Sequence, residues 1–240
     1  MKVTKFTYDN PDSDGRVSLE AEGVIENKSV HDVEYITTSY ILVNEAGVTV
    51  GGSDTWHDDA FIDSKSSGDI SLLSWDSVDA GKINGSGENL KAYFEATTYK
   101  REFVKVGTMD FPQKVGDLSQ LKKVISLGGV ADLMGVSAYR NKDTDDGECD
   151  VDIQLAVKNT SDTYFSRVQV TTKLMDQRDA ELGNDLSYYE LPPHSSKVFT
   201  PWITSLKPGK IKNAEYVMTA SVFIPIESFT VEATPVKSED

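Results

Sequence analysis

The sequence predicts an all-β protein of two tandem antiparallel β-sandwiches joined by a short helical linker. Three observations predict it. Apolar and polar residues alternate with period two in many short runs, turn residues fall between most of those runs, and the second half repeats landmarks of the first. A strand points alternate side chains to opposite faces, so alternation with one polar face fits sheets stacked face to face. A closed barrel is the alternative allowed by the same pattern.

In the first half an opening strand is expected near 3–8. Val17, Leu19, Ala21 and Ile25 then alternate with Ser18, Glu20, Glu22 and Glu26, and Ile36, Thr38, Tyr40 and Leu42 mark the next strand. Further strand-like runs lie near 69–75, 90–99 and 102–109. The second half opens near 135–140. Cys149, Val151, Ile153, Leu155 and Val157 alternate with Asp150, Asp152, Gln154, Ala156 and Lys158, all polar except Ala156. Val168, Val170, Thr172 and Leu174 follow, then runs near 196–203, 214–224 and 227–234. This makes about seven strands in each half.

The repetition is one of order rather than of identity. Asn27-Lys28-Ser29 matches Asn159-Thr160-Ser161 at an offset of 132, as do Leu42 with Leu174 and Gly51 with Gly183. Gly81-Lys82-Ile83 matches Gly209-Lys210-Ile211 at 128, with Trp75 and Trp202 shortly before. The offset drifts in small steps, as changes in loop length would make it. The domains are therefore placed at 1–112 and 135–240, each of ordinary size. Between them, 113–134 breaks the alternation. Asp117 or Ser119 could cap a helix that sets Leu118, Leu121, Val124 and Ile125 on one face and stops at Gly128-Gly129.

Several strand-and-turn stretches resemble the FxLYD-type and related immunoglobulin-like modules of bacterial proteins. They are Gly23-Val24-Ile25-Glu26-Asn27-Lys28-Ser29 and Leu42-Val43-Asn44-Glu45-Ala46-Gly47-Val48 in the first copy. In the second they are Ala156-Val157-Lys158-Asn159-Thr160-Ser161, Leu174-Met175-Asp176 and Leu206-Lys207-Pro208-Gly209. The resemblance covers about half of each repeat. It implies two immunoglobulin-like sandwiches and a non-catalytic binding or spacer module, often extracytoplasmic.

Charge narrows the partners. The 240 residues hold 24 Lys+Arg and 39 Asp+Glu, a net −15. Nucleic-acid phosphates and anionic lipid both call for a basic footprint, so neither is an expected partner. A basic protein partner fits, and residues 1–120 carry more of the excess (21 acidic, 11 basic) than residues 121–240 (18 acidic, 13 basic). An acidic inhibitor of the immunity-protein kind, acting on one basic target, is the alternative reading. No apolar run is long enough to cross a membrane as a helix, and Met1-Lys2-Val3-Thr4-Lys5-Phe6 does not read as a signal peptide. As it stands the chain reads as cytoplasmic, or as extracytoplasmic if a signal peptide has been removed.

Catalytic signatures are missing from the sequence. No Walker-type loop, G-x-S-x-G or H-E-x-x-H occurs, and Asn84-Gly85-Ser86-Gly87 reads as a flexible loop. His31, His57 and His194 share no spacing. Trp56-His57-Asp58-Asp59, with Asp63, is the densest group of donors, and reads as an acidic loop with a packing Trp. Cys149 falls in phase with Val151 and Ile153 and reads as a buried, inert thiol. The expectation is a protein that is not an enzyme.

One ligand-like feature occurs twice. Asn10-Pro11-Asp12-Ser13-Asp14-Gly15 and Asn141-Lys142-Asp143-Thr144-Asp145-Asp146-Gly147 place side-chain oxygens at alternate positions before a glycine. Calcium takes six to eight oxygens, and Asn10, Asp12, Asp14, Asn141, Asp143 and Asp145 are its candidate ligands in a calcium-stabilised spacer. The closing bidentate Glu of an EF-type loop is missing, since Ala21 stands there. A polar turn is the other reading, because Asn, Asp and Gly dominate turns without any metal.

Overall fold

The computed structural model describes residues 1–83, 87–142, 146–207, 209–211 and 213–238, with the side chains of Asp54, His57, Asp58, Ser74, Trp75 and Ser166 set aside. The chain is all-β: among the described residues there is no α-helix, only two short 3₁₀ turns. None of it is a helix long and apolar enough to cross a membrane.

The strands divide between two compact units. Unit 1 comprises Met1–Lys100 with Pro225–Asp240, and unit 2 comprises Arg101–Ile224. Two sheets make up unit 1. In the first, β1 (Lys2–Tyr8), β2 (Arg16–Glu26) and β5 (Ser67–Asp79) lie side by side in that order. The second runs β4 (Thr49–Asp58), β3 (Tyr35–Val43) and the first half of β6 (Lys91–Asp110). The alternation read from β2 is the one observed, with Val17, Leu19, Ala21 and Ile25 all buried. The two sheets close on one apolar core, where the Phe6 ring meets Phe94 edge-on at 5.3 Å.

In unit 2, β7 (Leu118–Leu121) and β8 (Ile125–Leu127) both pair with β9 (Ala131–Arg140), and β9 pairs with β10 (Cys149–Asn159). The far side of β10 is shared by β13 (Ser196–Phe199) and β14 (Trp202–Leu206). The facing sheet holds β12 (Glu181–Leu191), β11 (Phe165–Met175) and the first half of β15 (Glu215–Ala233). Cys149, Val151, Ile153, Leu155 and Val157 all point into the core, as their phase requires.

The observed division differs from the boundaries 1–112 and 135–240. The runs 90–99 and 102–109, read as two strands, are one strand of 20 residues, and 214–224 with 227–234 lie in one strand of 19. No turn interrupts either at Lys100–Arg101 or Ile224–Pro225. Without a turn, a chain leaving one sandwich cannot fold back onto it. The end of β6 therefore joins the unit 2 core through Val106 and Met109, followed by Phe111. The end of β15 packs on the unit 1 core through Ile226, Phe229, Val231 and Ala233. There it is tied to the start of β6 by Lys91–Glu232 at 2.7 Å and Thr97–Ser228 at 2.9 Å. The exchange is reciprocal, and each unit holds the last strand of the other half of the sequence. The final β16 (Val236–Lys237) runs parallel to the end of β1, and Val115 makes a parallel bridge at the end of β9.

The helix expected within 113–134 is also not formed. Leu118–Leu121 and Ile125–Leu127 are strands, and two members of the proposed apolar face, Leu118 and Val124, are exposed. Ile125 and Leu127 are buried with Ser126 outward, so the working period is two. The unpaired edge of β9 supplies the backbone partners that favour this outcome. Asp117 caps a turn instead, its carboxylate accepting the Lys114 N–H at 3.0 Å. The Gly128-Gly129 pair, both at positive φ, makes the turn into β9.

Candidate functional site

Residues 10–15 lie in the connection from β1 to β2, and of the second stretch Asn141, Lys142, Asp146 and Gly147 are described, between β9 and β10. Asn10, Asp12 and Asp14 are exposed in the first. Asp12 uses Oδ1 to accept the N–H groups of Asp14 and Arg16, each at 2.9 Å, and its C=O accepts the Gly15 N–H at 3.0 Å. That is the bonding of an Asx turn, with Gly15 at φ +71°. In the second loop Asn141 donates its amide to Asp152 at 2.9 Å, and Asp143 and Asp145 lie outside the described residues. Among the described residues, no group of three or more His, Cys, Asp or Glu is arranged to hold a metal ion.

Trp56 does not sit in a loop and does not pack inward. It lies on β4 and is 64% exposed. There it borders a cleft of about 360 Å³ in unit 1, between the outer strands of the two sheets. From β3 come Thr38 and Tyr40, from β4 Gly52, Ser53 and Trp56, and from β5 Ser71, Leu72, Leu73 and Asp76.

Irregularities in both ladders go with this cleft. Thr38 pairs with Trp56 and Tyr40 with Ser53, so β4 has one residue more than β3 between them. Leu19 pairs with Asp76 and Ala21 with Leu73, so β5 has one residue more than β2. A bulge bends its strand and re-aims side chains. Both strands that flank the cleft are irregular in this way, and β5 has a further extra residue where Ala21 and Glu22 pair with Leu73 and Ser71.

The polar centre of the cleft is Tyr40 with Asp76. Tyr40 is buried, and its hydroxyl donates to Asp76 Oδ2 in a short bond. The other carboxylate oxygen accepts the Ser77 N–H at 2.7 Å. Burial first, then the bond and the negative charge of Asp76, push the Tyr40 phenol well above its ordinary range. Tyr40 therefore stays a neutral donor. Among the described residues that line the cleft there is no lysine or arginine. Chemically this is an open slot with an indole at its rim, a phenol and a carboxylate.

A second concavity lies in unit 2 beside Asp110, Asp176, Asp179 and Glu215. Its Asp176 carboxylate is already used by the N–H groups of Ala180 (2.9 Å) and Arg178 (2.7 Å), which hold it below the usual carboxylate range. Cys149 is fully buried in the unit 2 core.

The larger electrostatic feature is the distribution of charge. Counted by the observed units, unit 1 has nine basic and 22 acidic residues, a net −13, and unit 2 has 15 and 17, a net −2. Of the nine basic residues, Lys5 and Lys91 already pair with Glu20 (2.6 Å) and Glu232 (2.7 Å).

No protein-family model matches the chain, and no curated protein matches it. Among solved structures, a protein described as pT26-6p is similar over 92% of this chain and 61% of its own, at 7% identity and a TM-score of 0.29. A glycosyl hydrolase family 2 member from Bacteroides cellulosilyticus is similar over 92% of this chain and 27% of its own, at 9% identity and a TM-score of 0.27. The chain thus spans less than two thirds of either. Likeness of this degree assigns neither a family nor an activity.

Proposed function

We propose that the chain is a non-enzymatic binding module of a bacterial protein, made of two copies of an immunoglobulin-like sandwich, whose unit 1 faces a basic protein partner. The observation that carries this reading is the concentration of charge, −13 of −15 in one unit. Acidic residues spread evenly would serve mainly to keep a protein dispersed. Gathered on one unit, they speed the approach of a cationic surface and orient it. An inhibitor of the immunity kind, with a single basic target, would use the same distribution.

The test is affinity capture from a native lysate at two ionic strengths. The reading expects recovered partners that are predominantly basic and that are lost as salt rises, because exposed charges are screened beyond roughly 8–10 Å near physiological ionic strength. Partners without basic bias, held equally at both ionic strengths, would overturn it.

A further inference from the structure

We propose that the Trp56–Tyr40–Asp76 cleft is the anchor pocket of unit 1, and that it takes an arginine side chain of the basic partner. The inference rests on the reading of unit 1 as the partner-facing unit and names the point on it where binding energy is concentrated.

Four features select a cation, and arginine in particular. Asp76 presents a carboxylate whose bonding partners are neutral, the Tyr40 hydroxyl and the Ser77 N–H. An ionised carboxylate accepts more than these two bonds, so room remains for an N–H donor. The lining residues supply no positive charge of their own, and the whole unit around them is acidic. Trp56 offers an exposed indole at the rim, and a guanidinium stacks on an aromatic face while its N–H groups reach a carboxylate. The apolar part of the wall, Leu72 and Leu73, suits the aliphatic stem of a long side chain. Arginine seated among Trp and Tyr is also a recurrent composition of interface hot spots.

At Gly52 a Cβ would come within 2.9 Å of the Tyr40 carbonyl oxygen, so this close approach of β4 to β3 on the cleft's border calls for glycine. Extra residues in β4 and β5 bend the strands that frame it.

The experiment uses the full chain and a short basic peptide with one central arginine, compared with the same peptide carrying citrulline there. Citrulline keeps the shape and removes the charge. Calorimetry should show the arginine peptide binding at least about tenfold tighter to the wild type than to Asp76→Asn. Glu45→Gln, an exposed change of equal charge elsewhere in unit 1, should lie within about twofold of wild type. Trp56→Ala, at an exposed ring, should weaken binding as Asp76→Asn does, and it serves as the test if Asp76→Asn does not fold.

Equal binding of arginine and citrulline peptides would overturn the pocket, as would equal small losses for Asp76→Asn and Glu45→Gln. In the second case salt-sensitive binding of the peptide would leave the reading of unit 1 standing. Failure of every basic peptide to bind at low salt would remove both.

Discussion

Asn27 and Asn159 stand 132 residues apart and make the same five hydrogen bonds, each in its own unit. Asn27 is 4% exposed. Its amide donates to the carbonyls of His31, Ile62 and Asp63 at 2.9–3.1 Å, and its oxygen accepts the N–H and hydroxyl of Ser29. Asn159 is fully buried. It donates to Thr163, Leu191 and Pro192 at 2.7–3.1 Å and accepts both groups of Ser161. Each residue satisfies carbonyls of two loops at the end of its sandwich.

Replacing either asparagine by alanine should therefore be costly. Buried carbonyls would lose their partner, at about 1–3 kcal/mol for each group left unsatisfied. We expect about 3 kcal/mol for Asn27→Ala and a similar loss for Asn159→Ala, read from urea unfolding. A loss below about 1 kcal/mol at either site would mean that water replaces the side chain.

The exchanged strands make a second prediction. The turn at Lys114–Asp117 is exposed, so a protease site placed there can be cut without breaking a core strand. Each fragment still supplies a strand to the unit of the other. The nicked protein should elute as one species of 26.4 kDa and separate only in denaturant. Separation in native buffer would show that each half completes its own sandwich.

Acid should weaken the fold through surface carboxylates. Asp176 is held below its ordinary value by the Ala180 and Arg178 N–H groups, Glu181 by Lys173 and Asn184, and Glu232 by Lys91. A carboxylate depressed in the folded state stabilises it fully above the unfolded value, near pH 4. That contribution is lost as pH falls through the lower folded value. The melting temperature should fall as pH drops below about 4, and Asp176→Asn should flatten part of that fall. A profile for Asp176→Asn that parallels wild type would contradict the assignment.

Much of this molecule is legible in its sequence. The period-two runs at Val17–Ile25 and Cys149–Val157 name strands and core faces correctly, because burial on one side forces the alternation. Asn27 and Asn159 stand out as aligned landmarks for the same reason that they are costly to replace. The exchange is another matter. The residues that follow Lys100 and those that follow Ile224 have apolar patterns suited to either core, so the pattern names a strand without naming the sandwich that receives it. The runs 214–224 and 227–234 read as separate, yet the chain passes through Pro225 extended, as the fixed φ of proline permits. The run Leu118–Ile125 has helical spacing, but an open edge on β9 decides its conformation. The strands that flank the cleft carry bulges, and no local residue pattern announces an extra residue in a ladder.

The charge asymmetry became sharp only when the units were known. By sequence halves it is −10 against −5, and by structural units −13 against −2. The most direct measurement compares two variants of equal net charge for binding to the captured basic partner. One neutralises Asp14, Glu45, Asp69 and Glu95 of unit 1 to Asn or Gln, and the other Asp110, Asp162, Asp179 and Glu215 of unit 2; all eight are exposed. The account predicts a loss of about tenfold or more for the first and a change within about twofold for the second. Equal losses, or a greater loss from unit 2, would contradict it.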